Sequence, residues 1–205
     1  MPSLISHLSS AKRDELFRDL CYLNMAEFKG FCDRHSIPYT ILIETEDGKV
    51  RKSRDKDRQK VVIDRIIHYL KTGKIRSATL FKKEVVNLTG LPDKITKTDL
   101  LYYGCYEKKN AKMIELLKDL TNGEFKNGAI ARILCRDFWT RGEAPTFEKY
   151  AKAWLKARDE YSLEQHPEAA YLTDLSKRNA GSNWKELRCQ KANNVLSLLS
   201  KIEPV

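Results

Sequence analysis

The stretch Lys49–Arg76 reads KVRKSRDKDRQKVVIDRIIHYLKTGKIR. Within it a run of basic residues is followed by an amphipathic pattern of helical spacing. The stretch contains eleven Lys and Arg against three Asp, and eleven minus three gives +8 of the chain's net +10. A focused basic patch beside a helix is typical of proteins that bind a polyanion, most often DNA or RNA. The alternative is a solvated, self-repelling loop, which is what charged runs usually form.

The amphipathic part of this stretch predicts a helix from about Asp57 to Thr72, with Gly73 as its C′ residue. Its apolar residues recur at helical spacing and should form a buried stripe of Val62, Ile63, Ile66, Ile67 and Leu70. Arg58 and Lys60 are left for solvent or a partner. Arg65 lies beside the apolar stripe, and we expect it to brace the fold.

Two helices and a hairpin are predicted before and around the basic run. An amphipathic helix begins at about Ser10, and a second helix runs from a capping box at Asn24–Glu27 to about His35. Tyr39–Glu44 is rich in β-branched residues and is followed by Asp47-Gly48. This pattern predicts a β-hairpin whose returning arm is basic.

The rest of the chain is predicted to be helical, beginning with a short helix over Phe81–Leu88. Further helices are expected at 110–120, at 128–140, from Pro145-Thr146 onward, and after capping-box patterns at Ser162–Gln165 and Asn183–Glu186. The predicted fold is mainly α: a helix–extended loop–helix module with a small β-hairpin insertion, followed by a helical bundle. We divide it into domains 1–75 and 76–205, because the basic run stops between Gly73 and Ala78.

Three segments of the first 75 residues share a pattern with a known module. They are MAEFKGFC at 25–32 in the first helix, HSIPY at 35–39 in the turn, and RQKVVIDRI at 58–66 in the second helix. Residues 20–75 thereby resemble the SAP family, a helix–extended loop–helix module that binds DNA. The resemblance implies a DNA-binding role in a nucleus or nucleoid, with the start of the second helix near the phosphates. The chain departs from the family at 39–56, where a hairpin-like insertion replaces a short link.

A helix N-terminus and the cations beside it attract phosphate without reading base sequence. The candidate nucleic-acid contacts are Lys49, Arg51, Lys52, Arg54, Lys56, Arg58 and Lys60. We expect a non-enzymatic DNA-binding protein with weak sequence preference. RNA in place of DNA, the strandedness and the oligomeric state stay open. Two alternatives stay open as well: an adaptor whose residues 76–205 dock a protein, and a metal-dependent enzyme acting on nucleic acid.

No catalytic or cofactor motif accompanies the basic patch, so we expect no cofactor and no metal. The five cysteines are widely spaced and contain no CxxC, which indicates a reduced, intracellular setting. Cys21, Cys135 and Cys189 should pack as small apolar residues. Cys32 and His35 share a helical face, but a metal site needs more ligands.

The sequence indicates neither an exposed aromatic surface for stacking on bases nor a membrane segment. Trp139 and Trp154 fall at helical core positions, so we expect them to pack in the interior rather than stack on bases. No apolar run approaches the roughly 20 residues of a membrane-spanning helix, and Met1–Ser10 does not have the pattern of a signal peptide. We therefore expect a cytoplasmic, nucleoid or nuclear protein without a membrane partner.

Overall fold

The computed structural model describes residues 3–107, 109–160 and 183–204, with the side chains of 183–185 outside that description. Within these residues the fold is mainly α-helical with a small three-stranded sheet, which confirms the predicted class. The helices are α1 (Ser10–Asp19), α2 (Met25–Arg34), α3 (Gln59–Thr72), α4 (Ala111–Asp119), α5 (Ala129–Thr140), α6 (Phe147–Asp159) and α7 (Asn183–Ser200). The strands are β1 (Thr40–Glu44), β2 (Val50–Lys56) and β3 (Leu80–Phe81), in the order β2-β1-β3.

The described residues form two compact units that are interleaved along the chain. The first unit contains residues 3–40, 55–78 and 183–204, and the second contains residues 41–54 and 79–160. This division differs from the predicted one, because α7 belongs to the first unit and most of the hairpin to the second. The reason is burial: α7 buries Val195 and Leu199 in the core of the first unit, whereas β1 buries Ile41 and Ile43 in the core of the second.

The predicted capping box at the start of α2 is confirmed. Asn24 Oδ1 accepts hydrogen bonds from the N–H groups of Ala26 and Glu27 at 2.9 and 3.0 Å. The Glu27 carboxylate accepts one from the Asn24 N–H at 2.7 Å. The same carboxylate pairs with Arg188, so the box that starts α2 also holds α7.

Two further polar contacts hold α7 in the first unit. Lys191 Nζ lies 2.8 Å from a carboxylate oxygen of Asp19, whose side chain is 5% exposed. Arg34 donates hydrogen bonds to the carbonyls of Leu199 at 2.8 Å and Ser200 at 3.4 Å. These carbonyls belong to the last turn of α7, where a helix leaves its acceptors unsatisfied. Arg34 therefore caps α7 from a position far away in sequence.

A buried ion pair braces α3. Arg65 Nη1 lies 2.6 Å from Asp57 Oδ2, and the two side chains are 6% and 3% exposed. The guanidinium also donates to the carbonyls of Pro38 at 2.9 Å and Ser77 at 3.1 Å. Arg65 thus holds together the chain before β1, the chain before α3 and the chain after α3, which agrees with the bracing role expected from its place beside the apolar stripe.

The core of the second unit is rich in aromatic residues. Trp139 and Trp154 are 5% and 2% exposed, which confirms that they pack in the interior. The Trp139 indole N–H donates to the carbonyl of Leu101 at 2.9 Å. Burial of large aromatic side chains with a satisfied polar atom supplies much of the stability of a unit of this size.

The short helix predicted over Phe81–Leu88 is wrong. β3 begins this segment, and Lys83–Val85 then forms a single turn of 3₁₀ helix. β3 pairs in parallel with β1, with Leu80 opposite Leu42. Its backbone polar groups are therefore committed to the sheet, which a local apolar pattern cannot reveal.

One prediction about α7 also differs from the structure: Cys189 is exposed rather than packed. The capping pattern at Asn183–Glu186 depends on side chains that are not described, and the one at Ser162–Gln165 lies outside the described residues.

Replacing Asp57 tests the brace around α3. Asp57→Ala should lower the free energy of unfolding by about 3–5 kcal/mol, because it leaves the buried Arg65 charge without its carboxylate. A urea titration followed by circular dichroism measures this loss.

The matched control is Asp64→Ala, which removes an aspartate that lies within α3 itself. Asp64 pairs with Lys60 at 3.8 Å, and both side chains are about half exposed. Loss of such a surface pair should change the free energy of unfolding by less than about 1 kcal/mol. Equal losses in the two variants would contradict the role assigned to the buried pair.

Candidate nucleic-acid interface

The hairpin that carries the basic run is closed by a hydrogen-bonded turn at Thr45–Lys49. The Thr45 N–H donates to the Lys49 carbonyl at 3.0 Å, and the Gly48 N–H donates to the Thr45 carbonyl at 2.8 Å. Gly48 has a φ of 74°, in the left-handed region that favours glycine. The turn lies where Asp47-Gly48 predicted it, and the basic run is a strand rather than a solvated loop.

Asp47 organises the same turn. Its Oδ1 accepts a hydrogen bond from the Thr45 hydroxyl at 2.5 Å, and its Oδ2 lies 3.0 Å from Lys49 Nζ. The hydrogen bonds from Thr45 and from Lys49 hold the pKa of Asp47 below its ordinary value. Asp47 is therefore ionised at neutral pH, and it partly neutralises Lys49.

Strand geometry exposes the cations of β2. Arg51, Lys52 and Arg54 are exposed, whereas Ser53 is half-buried. Successive side chains of a strand point to opposite faces of the sheet. Lys52 and Arg54 therefore share the more exposed face of β2, which is also an edge strand of the sheet.

These cations are not neutralised by neighbouring acids. Among the residues that the structure describes, no carboxylate is paired with Arg51, Lys52 or Arg54. Exposed, unpaired cations that follow one another along a strand create a positive potential that attracts phosphate. We refer to Lys49, Arg51, Lys52 and Arg54 together as the basic arm.

The other three predicted contacts belong to the first unit and are less available. Lys56 is exposed, and its Nζ lies 5.8 Å from the centre of the Tyr39 ring in a cation–π contact. Lys60 is half-buried and pairs with Asp64. Arg58 is half-buried at the N-cap of α3 and has interaction partners of its own.

The first turn of α3 is fixed by its neighbours. No side chain caps α3 at Arg58. The Gln59 side-chain amide donates to the carbonyls of Leu23 at 2.6 Å and Cys21 at 3.1 Å. Anion attraction at this helix start stays a prediction, whereas the packing of its first turn is a structural role that the sequence did not indicate.

A cleft of about 620 Å³ lies beside the basic arm, within the second unit. One wall is the hairpin turn together with Lys49–Arg51, and the other wall is Val86–Thr89. Sequence reasoning missed the second wall because it placed Phe81–Leu88 in a helix. The available signal was Asn87 and Thr89 on either side of an apolar residue just before Gly90, which is a turn pattern rather than a helical one.

Groups suited to covalent or metal chemistry are buried or dispersed. Burial raises the pKa of the Cys32 thiol to about 12, and His35 Nδ1 lies 3.0 Å from the Tyr69 hydroxyl. Within residues 3–107, 109–160 and 183–204, no three His, Cys, Asp or Glu side chains converge on a metal position. In the same part of the chain, no helix has the length and apolar character needed to cross a membrane.

Comparison of the chain with protein-family models, with curated proteins and with solved structures found no match in any of the three. The basic arm and the cleft are therefore the features that bear on function.

Replacing Thr45 tests the electrostatics of the turn. Thr45→Val should raise the pKa of Asp47 toward its ordinary value of 3.8, because it removes the hydroxyl that stabilises the carboxylate. Since folding lowers this pKa, the stabilisation is present above 3.8 and is lost as the pH falls through the folded-state pKa. Carboxyl-carbon NMR titration measures the shift.

Thr89→Val serves as the control, because the Thr89 hydroxyl bonds to Asn87 instead. It should leave the titration of Asp47 unchanged. An Asp47 pKa that is the same in Thr45→Val as in the unaltered protein would refute the assigned hydrogen bond.

Proposed function

We propose that this protein is a non-enzymatic nucleic-acid-binding protein, with DNA as the expected partner, and that it holds phosphates on the basic arm. The observation that carries the proposal is the exposure of Arg51, Lys52 and Arg54 without paired carboxylates among the described residues. Exposed Lys and Arg side chains that neutralise phosphates supply essentially all of the affinity in non-specific binding.

The geometry of β2 suits contact with successive phosphates. Residues two apart on a strand are separated by about 7 Å and share one face. Lys52 and Arg54 meet this condition, and their long side chains can each reach a separate phosphate. Such contacts position a nucleic acid without reading its sequence, so weak sequence preference is expected.

The finer part of the proposal is that residues 20–75 form a SAP-like module. Three observations support it: the capped start of α2, the C′ glycine of α3 at φ 66°, and the hydrogen bond from Gln59 at the start of α3 to Leu23 just before α2. In this module Lys56, Arg58 and Lys60 would add secondary contacts near the start of α3. Arg58 and Lys60 are half-buried with partners of their own, and the exposed Lys56 is held in a cation–π contact, so we expect all three to contribute less than the basic arm.

A competing explanation is that the basic residues only protect an edge strand. Lys and other charges on edge strands prevent unwanted pairing with another sheet. The basic arm, however, places four cations and no acid within residues 49–54, so all of its charge has one sign. Protection alone predicts no affinity for nucleic acid, and this difference can be measured.

Removing the basic arm's unpaired cations tests the proposal. With the unaltered protein, the logarithm of the duplex-DNA association constant should fall with the logarithm of salt concentration with a slope of about −3. The triple variant should have a slope less steep by about 2 to 3, because each cation that contacts a phosphate releases counterions. Its substitutions are Arg51→Ala, Lys52→Ala and Arg54→Ala. Fluorescence anisotropy of labelled DNA across a salt series gives both slopes.

A charge-matched control uses three exposed lysines of the same unit that lie outside the hairpin. This control variant removes three positive charges, as the basic-arm variant does, through Lys94→Ala, Lys118→Ala and Lys126→Ala. This variant should keep most of the affinity and the slope. If both triple variants weaken binding equally, net charge and not the basic arm is responsible; if the unaltered protein does not bind at low salt, the proposed function is wrong.

A further inference from the structure

The cleft beside the basic arm differs in chemistry from the arm itself. Its lining includes two apolar side chains that are largely exposed, Val50 at 54% and Leu88 at 52%. They stand on opposite walls, one on β2 and the other on the segment after β3. Exposed apolar side chains that line a cleft mark a place where a partly apolar ligand can bind.

The polar groups of the cleft include both donors and acceptors. Asn87 Oδ1 accepts hydrogen bonds from the Thr89 N–H at 2.9 Å and the Thr89 hydroxyl at 2.6 Å. The oxygen of this amide is therefore occupied, and its NH₂ group is left as a donor among the described residues. Arg51 adds an unpaired guanidinium to the lining, and Glu46 adds an exposed carboxylate that can only accept.

The charge of the cleft separates it from a phosphate site. Lys49 and Arg51 line the cleft together with Glu46 and Asp47, so the formal charges of its lining sum to zero although Arg51 is paired with no carboxylate among the described residues. Lys52 and Arg54, by contrast, lie next along the strand and have no acid partner among the described residues. A neutral, mixed cleft beside a cationic strand matches a ligand with neutral, partly apolar groups attached to a charged backbone.

We propose that the cleft takes an unpaired base of a single-stranded nucleic acid whose phosphates lie on the basic arm. This inference rests on the proposed function, and it specifies single-stranded nucleic acid as the class of ligand. Val50 and Leu88 contact the faces of the base, and Asn87 and Glu46 meet its polar edge, while Arg51 at the rim of the cleft holds a phosphate of the same strand. In a duplex the base faces are stacked and the pairing edges are occupied, so this cleft cannot be used.

Two substitutions of Leu88 with opposite expected effects test the inference. Leu88→Ala should weaken binding of single-stranded DNA and RNA by about three- to tenfold, because it removes apolar contact with the base. Leu88→Trp should tighten it, because an aromatic ring is a better stacking surface. Neither substitution should change duplex binding or the salt slope, since neither alters a charge.

The controls separate base contact from phosphate contact. Leu100→Ala changes another exposed leucine of the second unit, 40% exposed and outside the cleft, and should have no effect. An abasic single strand keeps the phosphates and lacks the bases, and it should bind the unaltered protein as weakly as normal strands bind Leu88→Ala.

The possible failures are distinguishable. Equal binding of normal and abasic strands, with both Leu88 variants behaving like Leu100→Ala, would overturn the cleft's role and leave phosphate binding by the basic arm intact. Absence of binding to any strand or duplex at low salt would overturn the proposed function and the inference together.

Discussion

The buried pair of Arg65 and Asp57 is the constraint on which the arrangement of the chain depends. The Arg65 guanidinium contacts Pro38, Asp57 and Ser77, and each of these residues lies within three positions of a point where the chain passes between the two units. The Asp57 N–H also donates to the Tyr39 carbonyl at 2.8 Å. The residues that flank the hairpin on both sides, Pro38 and Asp57, are therefore held together by Arg65. Fixing the ends reduces the conformational freedom that the hairpin must lose when its strands pair.

The chain uses its cations in two separate ways. Arg34, Arg65 and Lys191 are committed to carbonyls or carboxylates inside the first unit, where they hold α3 and α7 in place. Arg51 and Arg54 make no such contact with a carbonyl or carboxylate among the described residues, although both lie between Arg34 and Arg65 in the sequence. A surface adapted only for solubility would intersperse both signs of charge. We propose a polyanionic partner as the reason for the concentration of cations on one strand, and the cleft beside that strand as the proposed place for the partner's bases.

Three of the features predicted correctly from the sequence are fixed by near neighbours. The Asn24–Glu27 capping box, the Asp47-Gly48 turn and Gly73 at the end of α3 each depend on a few adjacent residues. The features that were missed depend on contacts between distant residues. β3 exists because it pairs with β1, and α7 joins the first unit through contacts such as Lys191 with Asp19, which are 172 positions apart. The same limit applies to the candidate site: composition located the basic arm, but the opposite wall of the cleft required the fold.

NMR of the arginine side chains is the most direct test of the central claim, that the basic arm holds phosphates. In a titration with a short single-stranded oligonucleotide at low salt, the Nε–Hε signals of Arg51 and Arg54 should shift and should return when salt is added. The signal of Arg65 should stay in place, because its guanidinium is buried against Asp57. Unchanged Arg51 and Arg54 signals in a complex that forms through other residues would contradict the account.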